Sequence, residues 1–191
     1  MKRLLNALVL AAAGAALTAT LVPSTVAAGE AADYAPRYAG YASRYSAPPS
    51  GDFASRVLNT HNGERSRMGL RPLRWNARLS AQAQQWASSL ARRGAFEHSN
   101  GDDGENLWMG TANGYSPEQM VASFLSERRA FRAGRFPNVS RTGNWADVGH
   151  YTQIIWPETQ EVGCAVVRGG RDEVMVCRYW PAGNVYGESV G

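Results

Sequence analysis

The stretch EVGCAVVRGGRDEVMVCRYW, Glu161 to Trp180, decides the fold. Glu161 to Arg168 and Glu173 to Trp180 are strand-like runs, and Gly169-Gly170-Arg171-Asp172 between them is a turn sequence, so the stretch predicts a β-hairpin. Folded symmetrically about Gly170 and Arg171, it sets Cys164 directly opposite Cys177, close enough for a disulfide. Two free buried thiols are the alternative; an oxidising compartment favours the bridge. The same register gives one face Val162, Cys164, Val166, Met175, Cys177 and Tyr179. The other face takes Gly163, Ala165, Val167, Val174, Val176 and Arg178. Both are mostly apolar, so both must be covered. With helices as the available cover, the expected fold class is α+β, a three-layer α-β-α sandwich with a central antiparallel sheet.

Helices are legible upstream. Asp52 can cap a first, carrying Phe53, Val57, Leu58 and Met68, ended by Gly69 and Pro72. Asn76 can cap a second, with Leu79, Ala83, Trp86, Ala87 and Leu90 at helical spacing, Arg92 and Arg93 in the last turn and Gly94 as its left-handed stop. A third opens on Ser116, Pro117 and Gln119, a capping box, and carries Met120, Val121, Phe124, Leu125 and Phe131. Pro137 halts any helical continuation beyond it.

At the other end, Met1-Lys2-Arg3 is a basic start, Ala7 to Val22 is apolar but for two threonines, and small residues surround Ala28. This is the pattern of a secretory signal peptide over residues 1–28. An uncleaved anchor is the competing reading, but the stretch falls short of the roughly 20 residues of a span and is rich in alanine. Residues 29–51 hold Tyr34, Tyr38, Tyr41 and Tyr45 and end in Pro48-Pro49-Ser50-Gly51. They are expected to form a flexible linker rather than an amphipathic arm. The domain is expected over 52–187, with 188–191 as a short tail. The protein is then secreted, or periplasmic in a Gram-negative host, with no stable membrane span after cleavage.

The 191 residues are 44% apolar and 19% charged, which excludes a disordered polyelectrolyte and suits one domain. The net charge of +4 falls to +2 once Lys2 and Arg3 leave with the leader, too weak a field to argue for nucleic acid. A monomer is expected. Asn138-Val139-Ser140 is a glycosylation sequon, meaningful only in a host that glycosylates.

Three histidines, His61, His98 and His150, are the residues from which chemistry could be built. No His-Glu-x-x-His, Cys-x-x-Cys or Gly-x-Ser-x-Gly motif is present, and spacing alone favours structural roles. Four stretches in order nevertheless resemble the CAP superfamily, the cysteine-rich secretory, antigen 5 and pathogenesis-related 1 proteins, also called the SCP domain. They are His61-Asn62-Gly63-Glu64-Arg65, Gly104-Glu105-Asn106-Leu107, Gly149 to Trp156, and Val174 to Asn184. The resemblance implies the same α-β-α sandwich and a central cavity lined by His98, Glu105, Glu127 and His150. Phe124 stands where relatives usually have Trp. The resemblance also implies zinc or another divalent ion at His98 and His150, with no obligatory cofactor. Structural roles fall to His61, Asn62, Arg65, Asn106, Gln153, Tyr179 and Asn184, with His61 expected to bridge its helix to a neighbouring loop.

A secreted, non-enzymatic binding or effector module is the leading functional expectation, with an extracellular ligand such as a lipid or sterol. The loop Arg132–Asn144, basic and Gly-rich, does not align with the sterol-binding loop of relatives. The alternative is a metal-assisted hydrolase using Glu105, Glu127, His98 and His150 to activate water; no catalytic residue is otherwise assigned.

Overall fold

Cys164 lies opposite Cys177, and the two form a disulfide with their Cα atoms 4.1 Å apart. The computed structural model describes residues 52–191, so the leader read at 1–28 and the linker read at 29–51 lie outside the described residues. The expected hairpin is present as β4 (Glu161–Gly169) and β5 (Asp172–Trp180), in the register drawn from the turn. Two further strands flank it. Gly104–Thr111 is β2, antiparallel to β5, and Arg74–Trp75 is β1, parallel to β4; the order is β1-β4-β5-β2.

The central sheet is therefore mixed rather than wholly antiparallel. β1 is two residues long, too short for any alternation to show. Its role is to deliver the chain to the next helix. Asn76, directly after it, hydrogen-bonds Glu161 through its amide nitrogen (2.7 Å) and accepts from the backbone N–H groups of Arg78 and Leu79.

That helix, α2 (Ala77–Arg93), has the predicted ends, Asn76 at its start and Gly94 at φ 59° after it. Ala83, Ala87 and Leu90 cover the sheet face bearing Leu107, Ala165, Val174 and Val176. The opposite face, with Val162, Cys164, Met175, Cys177 and Tyr179, packs on a larger core. Its cover comes from α1 (Asp52–Arg67), α3 (Pro117–Leu125) and α4 (Gly149–Ile154). Ser116 and Gln119 form the expected reciprocal cap on α3. Three layers result, as two apolar faces require.

Gly163 fixes how closely the layers approach. A Cβ there would lie 2.3 Å from the Ser80 nitrogen and 2.5 Å from the Asn76 oxygen, so the first turn of α2 rests on bare backbone. Ser80 also donates its hydroxyl to the Cys164 carbonyl (2.8 Å). Because backbone cannot step aside as a side chain can, Gly163→Ala is expected to cost about 2 kcal/mol. Urea unfolding measures this; an unchanged midpoint would mean α2 can be lifted without loss.

The chain's end is part of the fold. Ser189–Val190 is β6, antiparallel to β3 (Gly134–Arg135), and the Val190 side chain is buried. The expected tail at 188–191 is corrected accordingly: one apolar residue among polar neighbours gave no periodic signal. Asn138 of the sequon is exposed and Ser140 buried. No helix among the described residues is long and apolar enough to cross a membrane.

Candidate functional site: two imidazoles held by acids

The β2–β5 register places Glu105 opposite Arg178, on the sheet face covered by α2. The Glu105 side chain is 6% exposed, accepts three hydrogen bonds and faces one guanidinium. His98 Nδ1 reaches Oε1 at 2.8 Å and the Ser99 N–H reaches it at 3.0 Å, while the Ser99 hydroxyl donates to Oε2 at 2.7 Å. Arg178 stands 3.3 Å from Oε2. Burial pushes the carboxyl pKa upward, but the hydrogen bonds from His98 and Ser99 outweigh it and hold Glu105 below its ordinary value. Glu105 is thus an ionised acceptor, so His98 presents an Nδ1–H to it, with Nε2 on the far side of the ring from the acid. The His98 side chain is half exposed.

His150 is held in the same way by a different acid. It lies at the start of α4, and Glu127 bonds its Nδ1 at 2.6 Å through Oε1. Oε2 accepts the backbone N–H groups of His150 (3.0 Å) and Tyr151 (3.1 Å), two donors that the short helix cannot satisfy internally. Glu127 was expected on the third helix. It lies instead in the 3₁₀ turn Ser126–Ala130, where the backbone tightens after Leu125. Phe124 stacks on the His150 ring, centroids 4.9 Å apart and 21° from parallel. The structure pairs the expected residues two by two, His98 with Glu105 and His150 with Glu127. Among the described residues no group of three or more His, Cys, Asp or Glu is set to hold a metal.

The third histidine has another role. His61 is fully buried, donates Nδ1–H to the Val57 carbonyl (2.8 Å) and accepts the Tyr179 hydroxyl at Nε2 (2.9 Å). It ties α1 to the central strand β5, not to a loop. Burial, eased by the Val57 bond, pulls its pKa down to about 4 and pushes the Tyr179 phenol up. Asn106 donates its side-chain amide both to the Tyr179 hydroxyl and to the His150 carbonyl, each at 3.1 Å, and so joins this buried network to the backbone of α4.

Asn184, Gln153 and Arg65 secure the same helix, whereas Asn62 holds the chain before β1. Asn184 donates to the Gly149 carbonyl (2.9 Å) and accepts from Thr152 (2.6 Å). Gln153 accepts the Gly183 N–H (2.9 Å) and donates to Thr159 (3.2 Å). Asn62 pairs in both directions with the backbone of Leu73, and Arg65 donates to four carbonyls.

Sequence reasoning assigned no role to Glu64, Ser99 or Arg178. Glu64, buried in α1, accepts from the Tyr151 hydroxyl (2.8 Å), Arg67 (2.9 Å) and Arg128 (3.0 Å). For Arg178 a signal existed: the hairpin register set one guanidinium on an otherwise apolar face, which demands a buried acid nearby.

The described residues thus form an α-β-α sandwich with a mixed central sheet and two acid-oriented imidazoles, one in the loop after α2 and one at the start of α4. The chain matches the family described as "CAP: Cysteine-rich secretory protein family" over residues 58–179, and it belongs to that family. It is 36% identical over 159 residues to pathogenesis-related protein PR-1 of Medicago truncatula, covering 82% of this chain and 86% of that one. Pathogenesis-related protein 1C of Nicotiana tabacum is 35% identical over 133 residues, covering 69% and 77%. Among solved structures, NaASP2 with Zn2+ shares the fold with TM-score 0.63 at 24% identity, covering 75% of this chain and 88% of that one.

Proposed function

We propose that this protein is a secreted CAP-domain binding module whose two histidines hold one divalent ion, zinc by donor chemistry, and present it outside the cell. The observation that carries the reading is the pairing of each Nδ1 with a glutamate, which directs both Nε2 atoms away from the acids. Carboxylate-held imidazole is the usual state of a ligating histidine, with the acid orienting the ring from behind the metal. Glu105 and Glu127 therefore act as orienters, and only His98 and His150 as ligands, with water completing the shell. Zinc in such a setting supplies Lewis acidity. Secretion fits the leader sequence, the disulfide and the family's description.

The non-enzymatic reading is supported by Ser99. Its hydroxyl, the nearest candidate nucleophile, donates to Glu105 rather than to an imidazole, so it is not aligned for activation. Native mass spectrometry of the secreted protein, with and without chelator, tests the proposal. One chelatable zinc per chain is expected, lost in His150→Ala and in His98→Ala while the disulfide mass remains. Failure to take up zinc, or retention by both variants, rules it out. Chelator-sensitive hydrolysis of a peptide or ester would favour the enzyme instead.

A further inference from the structure

A cavity of about 570 Å³ opens between α2 and the last residues of β5, and neither the histidines nor their acids line it. Its volume is that of a small-molecule site. Trp86 and Trp180 form apolar walls. Trp86 is fixed in plane, its Nε1–H donating to the Glu97 carbonyl (3.1 Å) and the Arg93 guanidinium lying 5.3 Å from the ring centroid. Trp180 is 44% exposed, a large aromatic left open where β5 ends. Around the cavity the charge is balanced, Arg78 and Arg178 against Asp102 and Asp103. Arg178 is further committed to Ser99 (2.8 Å) and Glu105 (3.3 Å), so the cavity offers no net charge to select a phosphate or an ammonium.

Of three buried side-chain polar atoms left without a partner among the described residues, two belong to this cavity's lining. Arg178 Nε, a donor, and Gln82 Oε1, an acceptor, have no hydrogen-bond partner, and both residues line the cavity. Arg178 is 93% buried, being 7% exposed. Such orphans are uncommon enough to require an explanation. Both atoms are sealed from water in this conformation, and Gln82 is only half-buried. A secondary amide carries the matching pair, an oxygen for Arg178 and an N–H for Gln82. Two indoles in the lining suit a ring with an apolar side. β5 is paired on both edges, which leaves no strand edge there for an extended peptide.

We propose that this cavity binds an N-acetylated sugar, stacked against tryptophan with its acetamido group turned to Gln82 and Arg178. Chitotetraose titrated into the full mature chain, followed by the indole N–H resonances of Trp86 and Trp180 and by calorimetry, tests it. Saturable binding is expected, about tenfold tighter than cellotetraose, which has the rings without the amide. Trp180→Ala, at an exposed position, and Gln82→Ala should each weaken it roughly fivefold or more, while His150→Ala leaves it unchanged. Absence of saturation, equal affinity for cellotetraose or for N-acetyl-trialanine, or indifference to both cavity variants overturns the proposal.

Discussion

Arg65→Ala is expected to lower the unfolding free energy by about 4 kcal/mol, a large share of what holds a domain of this size together. The side chain is fully buried, yet among the described residues no carboxylate pairs with it. Its guanidinium instead donates to the Arg71 carbonyl (2.7 Å), to Ile154 and Trp156 (2.8 Å each) and to Thr159 (3.1 Å). Ile154 and Trp156 lie where α4 ends, so the cation faces carbonyls that the helix cannot satisfy and the negative end of its dipole. Burial draws the Arg65 pKa down to about 10, which leaves it charged at neutral pH. Alanine would strand several carbonyls in a dry interior at once. Lysine, with one nitrogen in place of a planar fork, should recover only part of the loss. Urea titration of the oxidised protein measures both; a loss below about 1 kcal/mol for alanine would show that water can replace the guanidinium.

The second large effect is a pH dependence centred on His61. Its imidazole has a pKa of about 4 in the fold against 6.5 as a free group. Between those values the unfolded chain binds a proton that the native state refuses. Stability from this group is therefore complete above pH 6.5, declines as pH falls, and is fully lost near pH 4, by roughly 3 kcal/mol in all. The slope is the diagnostic, since His61→Gln also forfeits bonds to Val57 and Tyr179 at every pH. Between about pH 6.5 and 4.5 the wild-type protein should lose stability faster than the variant by about 1 kcal/mol per pH unit. Glu105, held below its ordinary value, adds a further loss in the same direction only at more acid pH. Parallel slopes for the two proteins would contradict the assignment of His61 as a buried neutral base.

How much of this was legible in the sequence depended on the range of the interaction concerned. Hairpin register, disulfide and the caps of α2 and α3 are fixed by residues close in the chain, and each could be read from turn chemistry or capping pattern. β2 could not: Gly104–Thr111 joins the sheet only by pairing with β5, far along the chain, and its buried apolar residues Leu107 and Trp108 are neighbours facing opposite cores, which leaves no alternation to read. β1 and β6 are pairs of residues whose strand character is conferred entirely by their neighbours. At the site, the four residues suggested by resemblance do meet as His–Glu pairs. Which atom of each ring is engaged, and that Ser99 and Arg178 complete one pair while Phe124 stacks on the other, needed coordinates.

Glu105 and Asn106 are consecutive, yet β2 sends one toward α2 and His98 and the other toward Tyr179 and His61. Odd and even positions of a single strand thus serve two separate clienteles. Shifting this strand by one place would exchange them, setting an acid against a buried phenol and an amide against an imidazole that needs an anion. Lengthening or shortening the chain between these two positions and the turn that begins at Ala112 is therefore forbidden in single steps. Insertions are expected to be tolerated only in the loops on either side of the strand.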